Sequence, residues 1–149
     1  MKSPRCTRPL AVFALCILHF VLLFSSCSIP VLETRDCSEA RDVVKQFYSF
    51  HVGNDMTPST AHLSERRRFL TAELFESLSK LAVTRFDRFT ASENYPKAFR
   101  VGECRIEAAN SAAIQVLLFW RDDTKSEQKE LTVNVVKQDS KWLINKVSN

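Results

Sequence analysis

Acid–base chemistry in a small apolar cavity needs a carboxylate and a hydrogen-bond donor that both face the interior. Tyr48 and His51 fall on one predicted helix, and the acids Asp87 and Glu93 follow in a later loop. The centres of the last three predicted strands hold no Asp or Glu. In the first predicted strand the acids alternate with apolar residues, which places the acids on the face that meets solvent. We therefore expect packed core residues in the helix and solvated acids in the loop, and we assign no catalytic residue.

Other kinds of catalytic or cofactor site find little support in the sequence. Apart from His19, the histidines are His51 and His62, eleven residues apart, and there is no His-Glu-x-x-His motif and no pair of CxxC motifs. The only glycines, Gly53 and Gly102, are too far apart for a phosphate loop, a dinucleotide fingerprint or a Gly-x-Ser-x-Gly elbow. We expect no metal site and no cofactor.

The densest basic run, Arg66-Arg67-Arg68, does not indicate a nucleic-acid interface. Consecutive helical residues point about 100° apart, so the three side chains cannot form one flat face. Of the 21 basic residues, three lie in the first 26 positions without any acid, which leaves 18 basic and 17 acidic residues in the remainder. The run is predicted to be a solvated helix surface, with contact to anionic lipid or an acidic partner as the alternative.

The spacing of apolar residues predicts helices first and strands afterwards. The first helix begins near Asp36 and ends at Gly53, the second spans about 63–70, and the third begins after the N-cap Thr71 and ends near Arg85. The four strands are predicted over residues 99–108, 112–121, 129–137 and 141–147. The expected fold is α+β, with the N-terminal helices packed on one face of a curved antiparallel sheet of about four strands.

The N-terminus has the charge and hydropathy of a signal peptide. Three basic residues precede an apolar run over residues 10–24, and small residues lead to Cys27. Residues 24–27 resemble the bacterial lipobox, which implies lipidation of Cys27, and Ser28 resembles the outer-membrane pattern. The predicted organisation is a signal peptide over 1–26, a lipidated cysteine and tether over 27–36, and one α+β domain over 37–149. An uncleaved anchor and ordinary secretion are the alternatives.

Two cysteines remain once the signal peptide and the lipidated residue are set aside. Cys37 and Cys104 form an even pair, which in an oxidising compartment could become a disulfide worth about 4 kcal/mol. Two separate buried thiols are the alternative.

Several segments resemble the nuclear transport factor 2-like superfamily of cone-shaped α+β domains. They are residues 43–48 on the first helix, the Thr71-Ala72-Glu73-Leu74 start of the third, and 141–147 at the end of the chain. Residues 87–96 are similar to the corresponding link in bacterial exported domains of unknown function. The resemblance implies the fold, but the superfamily includes isomerases, dehydratases, transport factors and uncharacterised domains, so it does not select a function.

Aromatic side chains are the expected border of any hollow between helices and sheet, because Tyr and Trp combine apolar bulk with a polar tip. The predicted ligand-binding residues are Tyr48, His51, Phe89, Tyr95, Trp120 and Trp142. The sequence thus predicts a lipid-anchored domain of the bacterial envelope that binds a small apolar ligand, a peptide or a protein without catalysis. A homodimer is one assembly open to such a domain. A small isomerase- or hydrolase-like enzyme is the alternative, followed by a purely structural role.

Overall fold

A computed structural model describes residues 33–121 and 126–149. The predicted signal peptide, the Cys27 lipidation site and most of the tether lie outside the described residues. No helix within the described part of the chain is long and apolar enough to cross a bilayer.

Among the residues that the structure describes, three helices come first, and each begins with a hydroxyl side chain that accepts a backbone N–H. Thr34 caps α1 (Arg35–Gly53), Ser59 caps α2 (Thr60–Arg66), and Thr71 caps α3 (Ala72–Ser79) as predicted. A 3-10 turn, Arg67–Phe69, continues α2. The predicted end of α3 near Arg85 is wrong, because the helix stops at Ser79.

Four strands then form one antiparallel sheet with the order β1-β2-β3-β4. Their bounds are β1 (Ala98–Ala108), β2 (Ser111–Arg121), β3 (Ser126–Gln138) and β4 (Lys141–Ser148). The positive φ angles of Asp139 and Ser140 make the tight turn between β3 and β4. The α+β class and the curved four-stranded sheet are confirmed.

The core lies between α1 and one face of the sheet. Ala40, Val44 and Phe47 of α1 are fully buried, as are Ile114, Val116 and Leu118 on β2, one of the two inner strands. Phe47 also contacts Tyr48, Phe69 and Phe89 through ring edges. These aromatic contacts connect α1 to the 3-10 turn and to the loop after α3.

The start of α1 is tied to the sheet by a disulfide. Cys37 and Cys104 are bonded, with their Cα atoms 5.7 Å apart. Beyond this point β1 loses its helix cover, because α1 begins at Arg35, only two residues before the bond. Ile106, on this uncovered part of β1, is accordingly exposed.

Candidate functional site

Three polar side chains from distant parts of the chain meet in the interior. His51 comes from the last turn of α1, Arg66 from the end of α2, and Asp87 from the segment after α3. They are only 2%, 2% and 3% exposed. We call these three residues the buried polar cluster.

The cluster is a chain of hydrogen bonds that fixes the histidine tautomer. Arg66 Nε donates to His51 Nδ1 over 2.7 Å, so Nδ1 must be the unprotonated nitrogen. The proton therefore lies on Nε2, which donates to Asp87 Oδ2 over 2.8 Å. The positive Arg66 and negative Asp87 are thus linked through a neutral ring, and both ring nitrogens are occupied.

Asp87 also shapes the loop that follows it. Its Oδ1 accepts the N–H of Phe89 over 3.0 Å, and its Oδ2 accepts the hydroxyl of Thr90 over 2.7 Å. The Asp87 N–H donates to the Ser92 carbonyl over 2.9 Å, which closes the loop. The expectation that Asp87 is a solvated acid is wrong, because this loop folds its carboxylate inward, whereas Glu93 is exposed.

Arg66 is likewise not the solvated side chain that the basic run suggested. Its two terminal nitrogens donate to the carbonyls of His62 and Asp55, each over 2.8 Å. Burial lowers the pKa of Arg66 from its ordinary value, while the nearby Asp87 charge opposes that change. The rotation of about 100° per residue in an α-helix and about 120° in a 3-10 turn lets Arg66 point inward while Arg67 and Arg68 stay exposed.

Tyr48 supports the same loop from beneath. Its hydroxyl donates to the Phe89 carbonyl over 2.8 Å in a fully buried position. Burial raises the pKa of Tyr48 well above its ordinary range, and the Asp87 charge raises it further. The phenol is therefore a neutral structural donor at any physiological pH.

An apolar pocket opens above the buried polar cluster, between α2, α3 and the segment that follows α3. Its internal volume is about 90 Å³. His51, Arg66 and Asp87 form part of its wall. The apolar side chains that line it are Met56, Pro58, Leu63, Leu78, Leu81, Ala82, Val83, Phe86 and Phe89. This apolar pocket lies beside the helices and not between α1 and the sheet.

The six predicted ligand-binding residues do not surround one opening. His51 and Phe89 line the apolar pocket, and Tyr48 lies behind them. Trp120 lines a separate polar groove and donates to the Asn94 carbonyl over 2.8 Å. Trp142 is buried beside Lys137, and Tyr95 is half-buried and lines neither the apolar pocket nor that groove.

Apart from Phe89, the pocket-lining residues of α2, α3 and the segment after α3 were not predicted from the sequence. The helical period was visible at Leu63, Leu78 and Leu81, but it does not show which apolar residues face a pocket and which face the core. Arg66 carried the clearest missed signal, since three successive helical arginines cannot all point into solvent beside a core.

The hydrogen-bond capacity of these groups limits the chemistry available. Both nitrogens of His51 are used, the Tyr48 hydroxyl proton is donated, and Asp87 accepts three hydrogen bonds. A general base needs a lone pair that can reach a substrate proton, and His51 has none left. Elsewhere, the atoms of Glu33, Cys37 and Cys104 lie close together, but the disulfide leaves no thiolate for a metal.

Solved structures of two bacterial proteins are similar to this chain. A protein of unknown function from Bacteroides thetaiotaomicron VPI-5482 is 20% identical, with a TM-score of 0.53 over 77% of this chain and 92% of that one. An NTF-2 like protein of unknown function from Shewanella oneidensis MR-1 is 12% identical, with a TM-score of 0.42 over 71% and 94%. Neither the family models nor the curated proteins gave a match. The similarity to the Bacteroides protein concerns the fold alone.

Proposed function

We propose that this chain is a lipid-anchored domain of the bacterial envelope that binds a small apolar group in the apolar pocket without catalysing a reaction. The observation that carries the proposal is the apolar pocket itself, which opens beside polar groups already bonded to one another. Such groups hold the pocket wall in place. A concave apolar site with few polar groups is the common form of a binding site.

The pocket volume restricts the ligand. A cavity of about 150 Å³ lined by apolar side chains holds a benzene ring, and sites for drug-sized molecules have about 300–1,000 Å³. The volume of about 90 Å³ therefore suits one short aliphatic group. The remainder of a larger ligand would lie outside the pocket.

The proposed anchor rests on the lipobox-like residues before Cys27, which lie outside the described residues. Acyl chains on one cysteine are sufficient to hold a soluble domain at a membrane, because each buried methylene contributes about 0.8 kcal/mol. A domain held in this way would meet ligands or envelope proteins at the membrane surface.

A small enzyme is the second candidate, and one observation favours it: His51 and Asp87 both line the apolar pocket. A buried acid and a histidine beside an apolar site are typical of catalytic groups. Against this, His51 would have to break its bond to Arg66 or Asp87 before it could accept a substrate proton. We therefore favour binding.

A series of straight-chain alcohols tests the binding proposal. Affinity measured by calorimetry should rise about fourfold per methylene, from about 0.8 kcal/mol each, until the pocket is full and should then level off. Leu63→Trp should fill the pocket and abolish the rise.

The matched control is Leu74→Trp, because Leu74 is also a partly buried leucine that packs against the core but does not line the pocket. This variant should bind like the parent chain. Equal losses in both variants, or an affinity that is independent of chain length, would contradict the proposal.

A further inference from the structure

The segment that links α3 to the buried polar cluster carries exposed apolar side chains. We call residues 80–88 the linking segment. Leu81 is 47% exposed and Val83 is 63% exposed, and the only other large exposed hydrophobic among the described residues is Ile106, at 39%. Ala82 between them is exposed as well. Leu81 and Val83, two of these three large exposed hydrophobics, thus lie two positions apart in one short segment.

The linking segment is also strongly basic at its surface. Lys80, Arg85 and Arg88 are exposed, and the only acid of the segment, Asp87, is buried against His51. The three cations lie on both sides of Leu81 and Val83 in the sequence. Outside the segment, the nearest exposed carboxylate in the sequence is Glu76 on α3.

Ile106 has a different electrostatic setting. It is flanked on β1 by Arg105 and Glu107, whose side chains approach to 3.6 Å, and Glu103 is exposed nearby. Its surroundings therefore combine both signs of charge. In the part of the chain that the structure describes, large exposed hydrophobics with cations on both sides occur only in the linking segment.

We propose that the linking segment docks onto an anionic lipid bilayer, with Leu81 and Val83 entering the interfacial region and the three cations contacting lipid headgroups. Apolar residues bordered by Lys and Arg bind such a surface through burial and charge together. A bilayer needs no shape complementarity, and two exposed apolar side chains are a smaller patch than most protein interfaces present. Complementarity of charge selects the anionic bilayer.

Docking in this way would fix which face of the domain meets the membrane. Leu81, Val83 and Arg88 also line the apolar pocket, so its opening would face the lipid headgroups. This inference does not depend on the ligand of the pocket or on lipidation of Cys27. If docking fails, the proposed binding of an apolar group still stands.

The test places tryptophan at the proposed contact and measures its quenching by lipid. The full chain carrying Val83→Trp is reconstituted in phosphatidylglycerol vesicles with brominated acyl chains, and Ile106→Trp is the matched control. Both positions are exposed, so neither substitution enters the core. We expect the added fluorescence to be quenched and shifted to the blue for Val83→Trp, and unchanged for Ile106→Trp. Leu81→Trp should behave like Val83→Trp.

The charges are tested separately in the Val83→Trp background. Replacing Lys80, Arg85 and Arg88 by glutamine should weaken docking about 100-fold, at about 1 kcal/mol per cation, and should restore the fluorescence. Vesicles of phosphatidylcholine, a zwitterionic lipid without net charge, should likewise weaken docking and leave the fluorescence unquenched. Quenching of Val83→Trp no greater than that of Ile106→Trp would overturn the proposal and would leave an acidic protein surface as the partner of these cations. Equal quenching on uncharged vesicles would overturn the role of charge.

Discussion

Replacing Asp87 by asparagine keeps the shape of the side chain but replaces one acceptor by a donor. The amide oxygen can still accept the Phe89 N–H, which leaves the NH₂ group where Oδ2 meets His51 and Thr90. The Thr90 hydroxyl can rotate to accept instead. His51 cannot adapt, because moving its proton to Nδ1 would place that proton against Arg66 Nε–H.

The cost follows from the burial of the cluster. A hydrogen bond to a charged group contributes about 1.5–3 kcal/mol, and removing one partner of a buried ion pair costs about 3–5 kcal/mol. The hydrogen-bond energy and the ion-pair cost are not added here, because Arg66 and Asp87 are coupled through His51 and the same contacts would be counted twice. We therefore expect Asp87→Asn to lower the free energy of unfolding by about 3–5 kcal/mol, a large part of the 5–15 kcal/mol typical of a domain.

Urea denaturation followed by tryptophan fluorescence, with the disulfide intact, measures this change. Glu93→Gln is the control, because Glu93 is an exposed acid of the same loop and its amide should change stability by no more than about 0.5 kcal/mol. Arg66→Met should cost less in the Asp87→Asn background than in the parent, because the two residues are coupled. A loss below about 1 kcal/mol for Asp87→Asn would refute the proposed linkage.

Three further predictions concern other parts of the chain. Above pH 10, where an unfolded tyrosine loses its proton, the raised pKa of Tyr48 should lower stability by up to about 1.4 kcal/mol per pH unit. Tyr48→Phe should remove this contribution and reduce the slope in pH-dependent urea denaturation, and an unchanged slope would contradict the assignment. Intact mass after non-reducing alkylation should show Cys37 and Cys104 both protected, and two labelled thiols would contradict the pairing. Cys27→Ala should release the chain from membranes or block its processing, whereas parent-like processing and fractionation would argue against lipidation.

The elements of the fold could be predicted because they depend on local patterns. The switch from helical to alternating apolar spacing near Ala98 marks the start of the sheet, and the apolar faces of β2 indicate its central place. The end of α3 was less predictable, because the apolar spacing continues through Leu81 and Phe86. The helix nevertheless stops at Ser79, and the chain that follows brings Asp87 inward to His51.

The buried polar cluster could not be predicted because its contacts are not local. His51 and Asp87 are 36 residues apart, and Arg66 lies 15 residues from His51. An acid in a polar loop resembles a solvated residue until its distant partner is known. The apolar pocket was missed for a related reason, since aromatic residues are visible in a sequence whereas an unfilled space between helices is not.

Native mass spectrometry of the chain extracted from its own membranes tests the central claim of ligand binding most directly. The parent and Leu74→Trp should retain a bound small molecule with an aliphatic part, and Leu63→Trp should lose it because the new ring occupies the apolar pocket. A parent chain that carries no added mass, or a Leu63→Trp chain that keeps the same ligand, would contradict the account.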